Sequence, residues 1–267
     1  MAFADINGAK LYYEVEGQGE PFVMIHAGVA DHRQWNQEFQ YFAKQYRVIR
    51  YDWRGQGLSE PVEGDYSHLQ DLITLLDVLN VREPAIVMGC SMGGGMAINL
   101  ALAQPSRVKA LILVDSGPNG LELDVPEEPK FAEVNAAFEA GDLDRTTELE
   151  VQIWFDGRGR TAEQVNPAAR KLAFDMNRLA VVHAAKNLGH NVPDLEPPAA
   201  GRLGEITVPV LIVAGVNDTA YSLAAADYMA EHLSNVRKVM IEDAAHLPNM
   251  EKPEEFRGIV EAFVREI

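Results

Sequence analysis

The sharpest candidate for chemistry is a serine set between glycines. Residues 89–93 read Gly-Cys-Ser-Met-Gly, which puts Ser91 at the centre of a G-x-S-x-G pattern. The pattern follows a short apolar run and precedes a helix-like segment. That is the setting of a nucleophile elbow, a tight strand-to-helix turn that exposes a serine hydroxyl beside the positive end of the helix. The motif by itself does not exclude a glycine-rich turn with an incidental serine.

A serine hydroxyl is a weak nucleophile that needs a general base, usually histidine, and a carboxylate to orient that base. Asp218 follows the apolar run 210–214, and His246 follows the run 236–241. Both lie just past predicted strands, at the edge where open parallel sheets gather their active sites. The order therefore predicts Ser91 as nucleophile, His246 as base and Asp218 as orienting acid. Asp115 also ends a predicted strand and remains the alternative acid, although we favour Asp218.

Short apolar runs rich in β-branched residues alternate with helix-like segments along the chain. This alternation predicts an α/β fold with a mostly parallel, doubly wound sheet. Two stretches around Gly8, 3–7 and 10–16, predict an antiparallel hairpin. The other predicted strands are Phe22–Ala27, Arg47–Tyr51, Ala85–Gly89, Val108–Val114, Val210–Ala214 and Val236–Ile241. Predicted core helices begin after Ser67, at Met92 and at Pro253.

Residues 118–202 interrupt this alternation. They contain helical patterns over Phe131–Ala140, Leu143–Phe155 and Thr161–Asn187 and no convincing strand. We therefore predict a core made of residues 1–117 and 203–267, with residues 118–202 inserted as a helical cap or lid.

The charge balance restricts the partners. The chain has 40 Asp and Glu against 23 Lys and Arg, a net charge of −17, which disfavours binding to nucleic acid and to anionic membrane surfaces. The lone cysteine, Cys90, excludes an intramolecular disulfide and a cysteine-rich zinc site, and we interpret it as a buried packing residue. No targeting or membrane-spanning pattern is visible, so we expect a cytoplasmic protein.

Four motifs resemble those of the alpha/beta-hydrolase fold superfamily, and the resemblance covers roughly residues 1–117 and 203–267. They are His26-Ala27-Gly28, the segment Tyr51–Ser59, Gly89–Gly94, and Ala245–Pro248 followed by Glu251–Phe256. The resemblance implies an oxyanion hole formed by the N–H groups of Met92 and Gly28. Because His26-Ala27-Gly28 departs from the usual His-Gly-X, Ala27 is the alternative to Gly28. His26 itself is expected to hold the loop.

The resemblance implies a serine hydrolase that cleaves a small or medium carboxylic ester or lactone through an acyl-enzyme, with no metal or organic cofactor. The His-x-Gly loop followed by Trp35 also resembles 3-oxoadipate enol-lactonases. A C–C bond hydrolase and a cofactor-independent perhydrolase use the same triad and stay open, as does a non-enzymatic small-ligand receptor. A homo-oligomer is also left open.

The inserted segment is expected to shape the substrate pocket. The pocket candidates are Trp154, Phe155 and His183. An acidic excess in this segment disfavours an anionic substrate, although basic residues there could bind a carboxylate locally. These are Arg158, Arg160, Arg170 and Lys171.

Overall fold

The computed structural model describes residues 2–267, and strands form the centre of the molecule. The strands are β1 (Ala2–Ile6), β2 (Ala9–Glu16), β3 (Pro21–Ile25), β4 (Arg47–Tyr51), β5 (Asp65–Tyr66), β6 (Ala85–Cys90), β7 (Val108–Val114), β8 (His190–Asn191), β9 (Val210–Gly215) and β10 (Val236–Ile241). Eight of them form one sheet in the order β1-β2-β4-β3-β6-β7-β9-β10.

Most strand pairs of this sheet are parallel. The pairs β4–β3, β3–β6, β6–β7, β7–β9 and β9–β10 are parallel, whereas β1–β2 and β2–β4 are antiparallel. The predicted mostly parallel α/β sheet is therefore confirmed. The predicted hairpin is present, and its turn is Asn7-Gly8, both with positive φ (45° and 83°). A two-residue turn of this kind matches the twist of the flanking strands.

Helices cover both faces of the sheet. They are α1 (Asn36–Phe42), α2 (His68–Val78), α3 (Met92–Ala103), α4 (Phe131–Glu139), α5 (Leu143–Val151), α6 (Pro167–Ala185), α7 (Ala220–His232), α8 (Pro248–Glu251) and α9 (Pro253–Val264). Side chains of α2, α3 and α7 join one buried apolar cluster, and those of α1 and α9 join the other. The sheet is thus doubly wound, with an apolar core on each face.

The segment 118–202, which we call the insert, lies between β7 and β9 in the chain. It contains α4, α5 and α6 and contributes no strand to the large sheet. Two details differ from the sequence prediction. Its β8 pairs with β5 as a short parallel ribbon, and the predicted single helix Leu143–Phe155 ends at Val151 and continues as a π-helical turn over Gln152–Asp156. Within residues 2–267, no helix is long and apolar enough to cross a membrane.

Candidate active site

Ser91 occupies a strained turn between β6 and α3. Its backbone has φ 54° and ψ −120°, a conformation that a residue with a side chain rarely adopts. Backbone hydrogen bonds hold this turn on both sides: the Ser91 N–H donates to the Val114 carbonyl at 2.8 Å, and the Ser91 carbonyl accepts from the N–H groups of Gly94 and Gly95. Such strain persists only when the surroundings enforce it, and it concentrates at functional sites.

Three glycines around Ser91 are required by close backbone packing. A Cβ on Gly89 would collide with the backbone of Gly93, and a Cβ on Gly94 would collide with the Ser116 side chain. A Cβ on Gly93 would lie 2.5 Å from the carbonyl oxygens of Ile25 and His26. The three glycines of the G-x-S-x-G-G sequence are therefore needed because the turn leaves no space for a Cβ at these positions. The glycine at position 93 allows the turn to pack directly against the loop after β3.

His246 and Asp218 meet at the carboxyl ends of β10 and β9. The His246 Nδ1 lies 2.7 Å from Asp218 Oδ2, and Asp218 Oδ1 accepts the Thr219 N–H at 2.6 Å. Asp218 is fully buried and His246 is 3% exposed. Burial opposes ionisation of Asp218, but the charge of His246 and the hydrogen bonds to this carboxylate lower its pKa below the usual value. An ionised, buried carboxylate thus fixes the orientation of the imidazole.

Asp115 lies beside this pair and does not replace Asp218. It follows the last residue of β7 with φ 43° and accepts the Gly215 N–H at 3.0 Å. Oxygen and nitrogen atoms of Asp115, Asp218 and His246 lie within 4.8 Å of one another. Burial, reinforced by the charge of Asp218, raises the pKa of Asp115 well above its usual range. Asp115 is therefore less readily ionised than the neighbouring Asp218, whose pKa is lowered.

Ser91 adjoins the His246 loop without a direct side-chain bond. The thiol of the preceding residue, Cys90, donates to the His246 carbonyl at 3.4 Å, so the elbow and the His246 loop are in contact. No hydrogen bond joins the Ser91 hydroxyl to His246 among residues 2–267, and Ser91 is partly exposed. Before substrate binds, catalytic hydrogen bonds are often long or poorly aligned, and they tighten in the enzyme–substrate complex.

The two expected oxyanion donors are adjacent. A Cβ on Gly28 would lie 2.7 Å from the Met92 Sδ, so the loop after β3 touches the first residue of α3. Met92 begins the helix, where N–H groups have no intrahelical acceptor. The alternative donor, Ala27, is already engaged, because its N–H donates to Gln34 Oε1 at 2.9 Å. This geometry favours Gly28 over Ala27.

The insert is hydrogen-bonded to two of the three loops that carry the candidate triad, those of His246 and Asp218. The Trp154 carbonyl accepts the His246 N–H at 3.2 Å, and the Arg158 N–H donates to the Asn217 carbonyl at 2.7 Å. Arg160 pairs with Glu251 at 2.8 Å, and Glu251 in turn accepts the Ala245 N–H. The π-helical turn after α5 is therefore the segment that joins the insert to the His246 loop.

The pocket candidates occupy three different environments. Trp154 packs on the His246 ring with centroids 4.5 Å apart and lines an apolar cavity of about 240 Å³. His183 and Met92 line a separate, more polar cavity of about 310 Å³, and burial, with Lys186 nearby, lowers the pKa of His183. Phe155 is only 1% exposed and packs in the core with α9, so its position gives no support for substrate contact.

The basic residues of the insert are mostly committed to acidic partners. Arg170 pairs with Asp156 and Glu148, Lys171 pairs with Asp175, and Arg160 pairs with Glu251. Arg158 is exposed and has no ion pair among residues 2–267. Three of the four basic residues considered for carboxylate binding are thus already neutralised.

Two clusters have the residue types of a metal site: Asp115 with Asp218 and His246, and Asp31 with His32 and Asp52. In both clusters, the carboxylates already accept hydrogen bonds from N–H groups of the protein. Asp52 accepts the N–H of His32 at 2.6 Å, the His32 ring at 2.8 Å and the N–H of Leu58 at 2.8 Å. The second cluster thus joins the loops after β3 and β4.

A family model decides the class of the chain. The model described as the alpha/beta hydrolase fold matches residues 20–253. The chain belongs to the alpha/beta hydrolase fold family. The sequence-based assignment to this family of hydrolytic enzymes is confirmed.

Relatives of this alpha/beta hydrolase are named as hydrolases of esters and lactones. 3-Oxoadipate enol-lactonase 1 of Acinetobacter baylyi is 28% identical, covering 98% of this chain and 95% of the relative. A pimeloyl-[acyl-carrier protein] methyl ester esterase of Aeromonas hydrophila is 30% identical, covering 93% and 96%. An esterase structure from Exiguobacterium antarcticum is 26% identical with a TM-score of 0.78, covering 98% of each chain.

Sequence reasoning missed several residues near this site. Glu150 and Asn177 line a third cavity, and the buried His68 lines the polar one, where burial lowers its pKa to about 3. The sequence carries no signal for them. Glu150 follows Glu148 within a charged helical stretch, and such residues usually face solvent.

Proposed function

We propose that this alpha/beta hydrolase cleaves a small or medium carboxylic ester or lactone through a Ser91–His246–Asp218 triad. The observation that carries the proposal is the conjunction of the strained Ser91 turn with the 2.7 Å contact between His246 and a buried Asp218. The relatives named as an enol-lactonase and as methyl ester esterases support this class of substrate.

The reaction proceeds in two halves. Ser91 Oγ attacks the carbonyl carbon while His246 Nε2 takes the hydroxyl proton, and Asp218 stabilises the resulting imidazolium. The N–H groups of Met92 and Gly28 hold the negative oxygen of the tetrahedral intermediate, each contributing about 3 kcal/mol. His246 gives its proton to the leaving alcohol oxygen, the C–O bond breaks, and an acyl-Ser91 ester remains. His246 then removes a proton from water, which attacks the carbonyl carbon of this ester. As the bond from that carbon to Ser91 Oγ breaks, His246 returns the proton to Ser91 Oγ, and the acid leaves.

Turnover of a panel of p-nitrophenyl and methyl esters and of five- and six-membered lactones tests the proposal. We expect wild-type turnover, and a loss of several orders of magnitude in Ser91→Ala. Ser106→Ala is the matched control, because Ser106 is an exposed serine in the short turn after α3. Equal turnover by wild type and Ser91→Ala would refute the nucleophile assignment. Tight ligand binding without any turnover would favour the receptor alternative.

A further inference from the structure

A cavity of about 290 Å³ lies between the three helices of the insert and the loop after β3. Its wall includes Gly28 and Val29 from that loop, Val134 from α4, Glu150 from α5, and Asn177 from α6. Because Gly28 is also the candidate oxyanion donor, one end of this cavity reaches the place where the substrate carbonyl would bind. We call it the insert cavity.

Glu150 is a half-buried carboxyl in this cavity without a cationic partner. Its Oε2 accepts the Asn177 Nδ2–H at 2.8 Å, and among residues 2–267 no Lys, Arg or His nitrogen lies within 4 Å of it. Burial raises the pKa of Glu150, and only the Asn177 hydrogen bond opposes this effect.

The basic residues of the surrounding helices do not provide a cationic partner for Glu150. Their partners lie elsewhere: Arg145 pairs with Glu133, Arg170 with Glu148 and Asp156, Arg178 with Asp144, and Lys186 with Glu60. A buried carboxyl that lacks a cation is costly unless a hydrogen-bond donor or an opposite charge meets it. The remaining acceptor capacity of Glu150 is therefore available to a molecule that enters the cavity.

The position of the cavity indicates which part of the substrate enters it. The leaving oxygen must receive its proton from His246, and Trp154, which lines the apolar cavity, packs on the His246 ring. The leaving group is thus on the His246 side of Ser91. The acyl chain then extends past Gly28 on the other side, toward Glu150.

We propose that Glu150 selects substrates whose acyl chain ends in a hydrogen-bond donor, an ammonium or a hydroxyl group, and rejects acyl chains that end in a carboxylate. The inference rests on the proposed function, since it names the substrate class of that same site. Repulsion between two carboxylates in a partly buried cavity is strong, whereas a donor satisfies Glu150 directly.

The test uses methyl esters of one six-carbon acyl chain whose far end carries ammonium, hydroxyl, methyl or carboxylate. In wild type we expect kcat/KM for the ammonium and hydroxyl esters to exceed that for the carboxylate ester by at least about tenfold. In Glu150→Gln, the ratio of ammonium to methyl ester should fall about tenfold, and the carboxylate ester should improve relative to the methyl ester. The hydroxyl ester should change least, because glutamine still offers an acceptor.

Glu139→Gln is the matched control, because it removes one negative charge from the exposed end of α4 outside the cavity. The wild-type ratios should persist in this control. If they shift as in Glu150→Gln, the general charge of the insert explains the selectivity and the inference fails. Should Glu150→Gln fold poorly, Glu150→Met repeats the test with a side chain of similar length.

Two outcomes separate this inference from the proposed function. Wild type that hydrolyses the carboxylate ester best, or Glu150→Gln with unchanged ratios, overturns the role of Glu150 while leaving the hydrolase intact. Wild type that hydrolyses neither these four esters nor any ester or lactone of the panel described above overturns the proposed function itself.

Discussion

At the scale of single residues, two neighbouring carboxyl groups have pKa values shifted in opposite directions. Asp218 bonds His246, which helps to lower its pKa, whereas burial and the charge of Asp218 raise the pKa of Asp115. Sequence order left both as candidates for the acid, because each follows a strand at the same edge of the sheet. The contact with the imidazole distinguishes them, since only Asp218 hydrogen-bonds His246.

Substitution by asparagine should distinguish the two aspartates. Asp218→Asn should lower kcat/KM on the order of 10⁴-fold, because the amide cannot stabilise the imidazolium or hold the correct tautomer. Asp115→Asn should stay within about threefold of wild type, because the amide can donate to Asp218 as a protonated acid does. Ester hydrolysis at neutral pH measures both, and an equal loss in the two variants would assign the acid role to Asp115.

The raised pKa of Asp115 also predicts how stability varies with pH. Between the ordinary aspartate pKa and the raised folded value, the folded chain keeps a proton that the unfolded chain releases, so stability falls as pH rises. Asp115→Asn removes this titration. Its free energy of unfolding relative to wild type should therefore grow from pH 4.5 to pH 8, by at most about 1.4 kcal/mol per pH unit. Urea unfolding at several pH values measures this, and a flat difference would show that Asp115 is ionised.

At the scale of elements, the sequence predicts the bounds of the strands better than the ends of the helices and the turns that follow them. The bounds of β4, β7 and β10 coincide with the predicted runs, including β10, which lies at the sheet edge and is only partly buried. Helix α7 was not predicted, since its buried face is made of small residues, Ser222, Ala225 and Ala226, with Met229. The end of α5 was misplaced because the turn after it is set by the bond between the Trp154 carbonyl and the His246 N–H.

Two glycine substitutions test whether packing fixes the elbow. Gly93→Ala forces a Cβ against the Ile25 and His26 carbonyls and should cost about 3 kcal/mol of unfolding free energy as well as ester turnover. Gly258→Ala is the matched control, because it lies in α9 with nothing within 4 Å of its added Cβ. That change should instead stabilise the protein by about 0.5–1 kcal/mol. Chemical unfolding compares them, and a neutral Gly93→Ala would contradict the packing argument.

At the scale of the whole molecule, the insert and the core are joined by specific contacts rather than by their net charge. The charge of −17 restricts partners but does not locate chemistry. These contacts include the pairing of β8 with β5 and, beside the His246 loop, the buried Arg160–Glu251 pair. Sequence motifs predicted the residues of the core site but neither this pair nor the place of Glu150, because both depend on how the insert packs.

Breaking the Arg160–Glu251 pair should weaken the link between the insert and the His246 loop. Arg160→Met leaves the buried Glu251 without its cation and should cost about 3–5 kcal/mol of unfolding free energy. It should also lower kcat, because Glu251 accepts the N–H of Ala245, the neighbour of His246. Arg158→Met, at an exposed side chain two residues away, should change neither quantity. Equal effects in the two variants would show that the Arg160–Glu251 pair does not link the insert to the His246 loop.

The central claim is that Ser91 is a nucleophile activated by His246. Incubation with a fluorophosphonate, followed by digestion and mass spectrometry, tests it most directly. We expect one phosphonate adduct on the peptide containing Ser91 in wild type, and none in Ser91→Ala or in chemically unfolded protein. An adduct on another residue, or no adduct on folded wild-type protein, would contradict it.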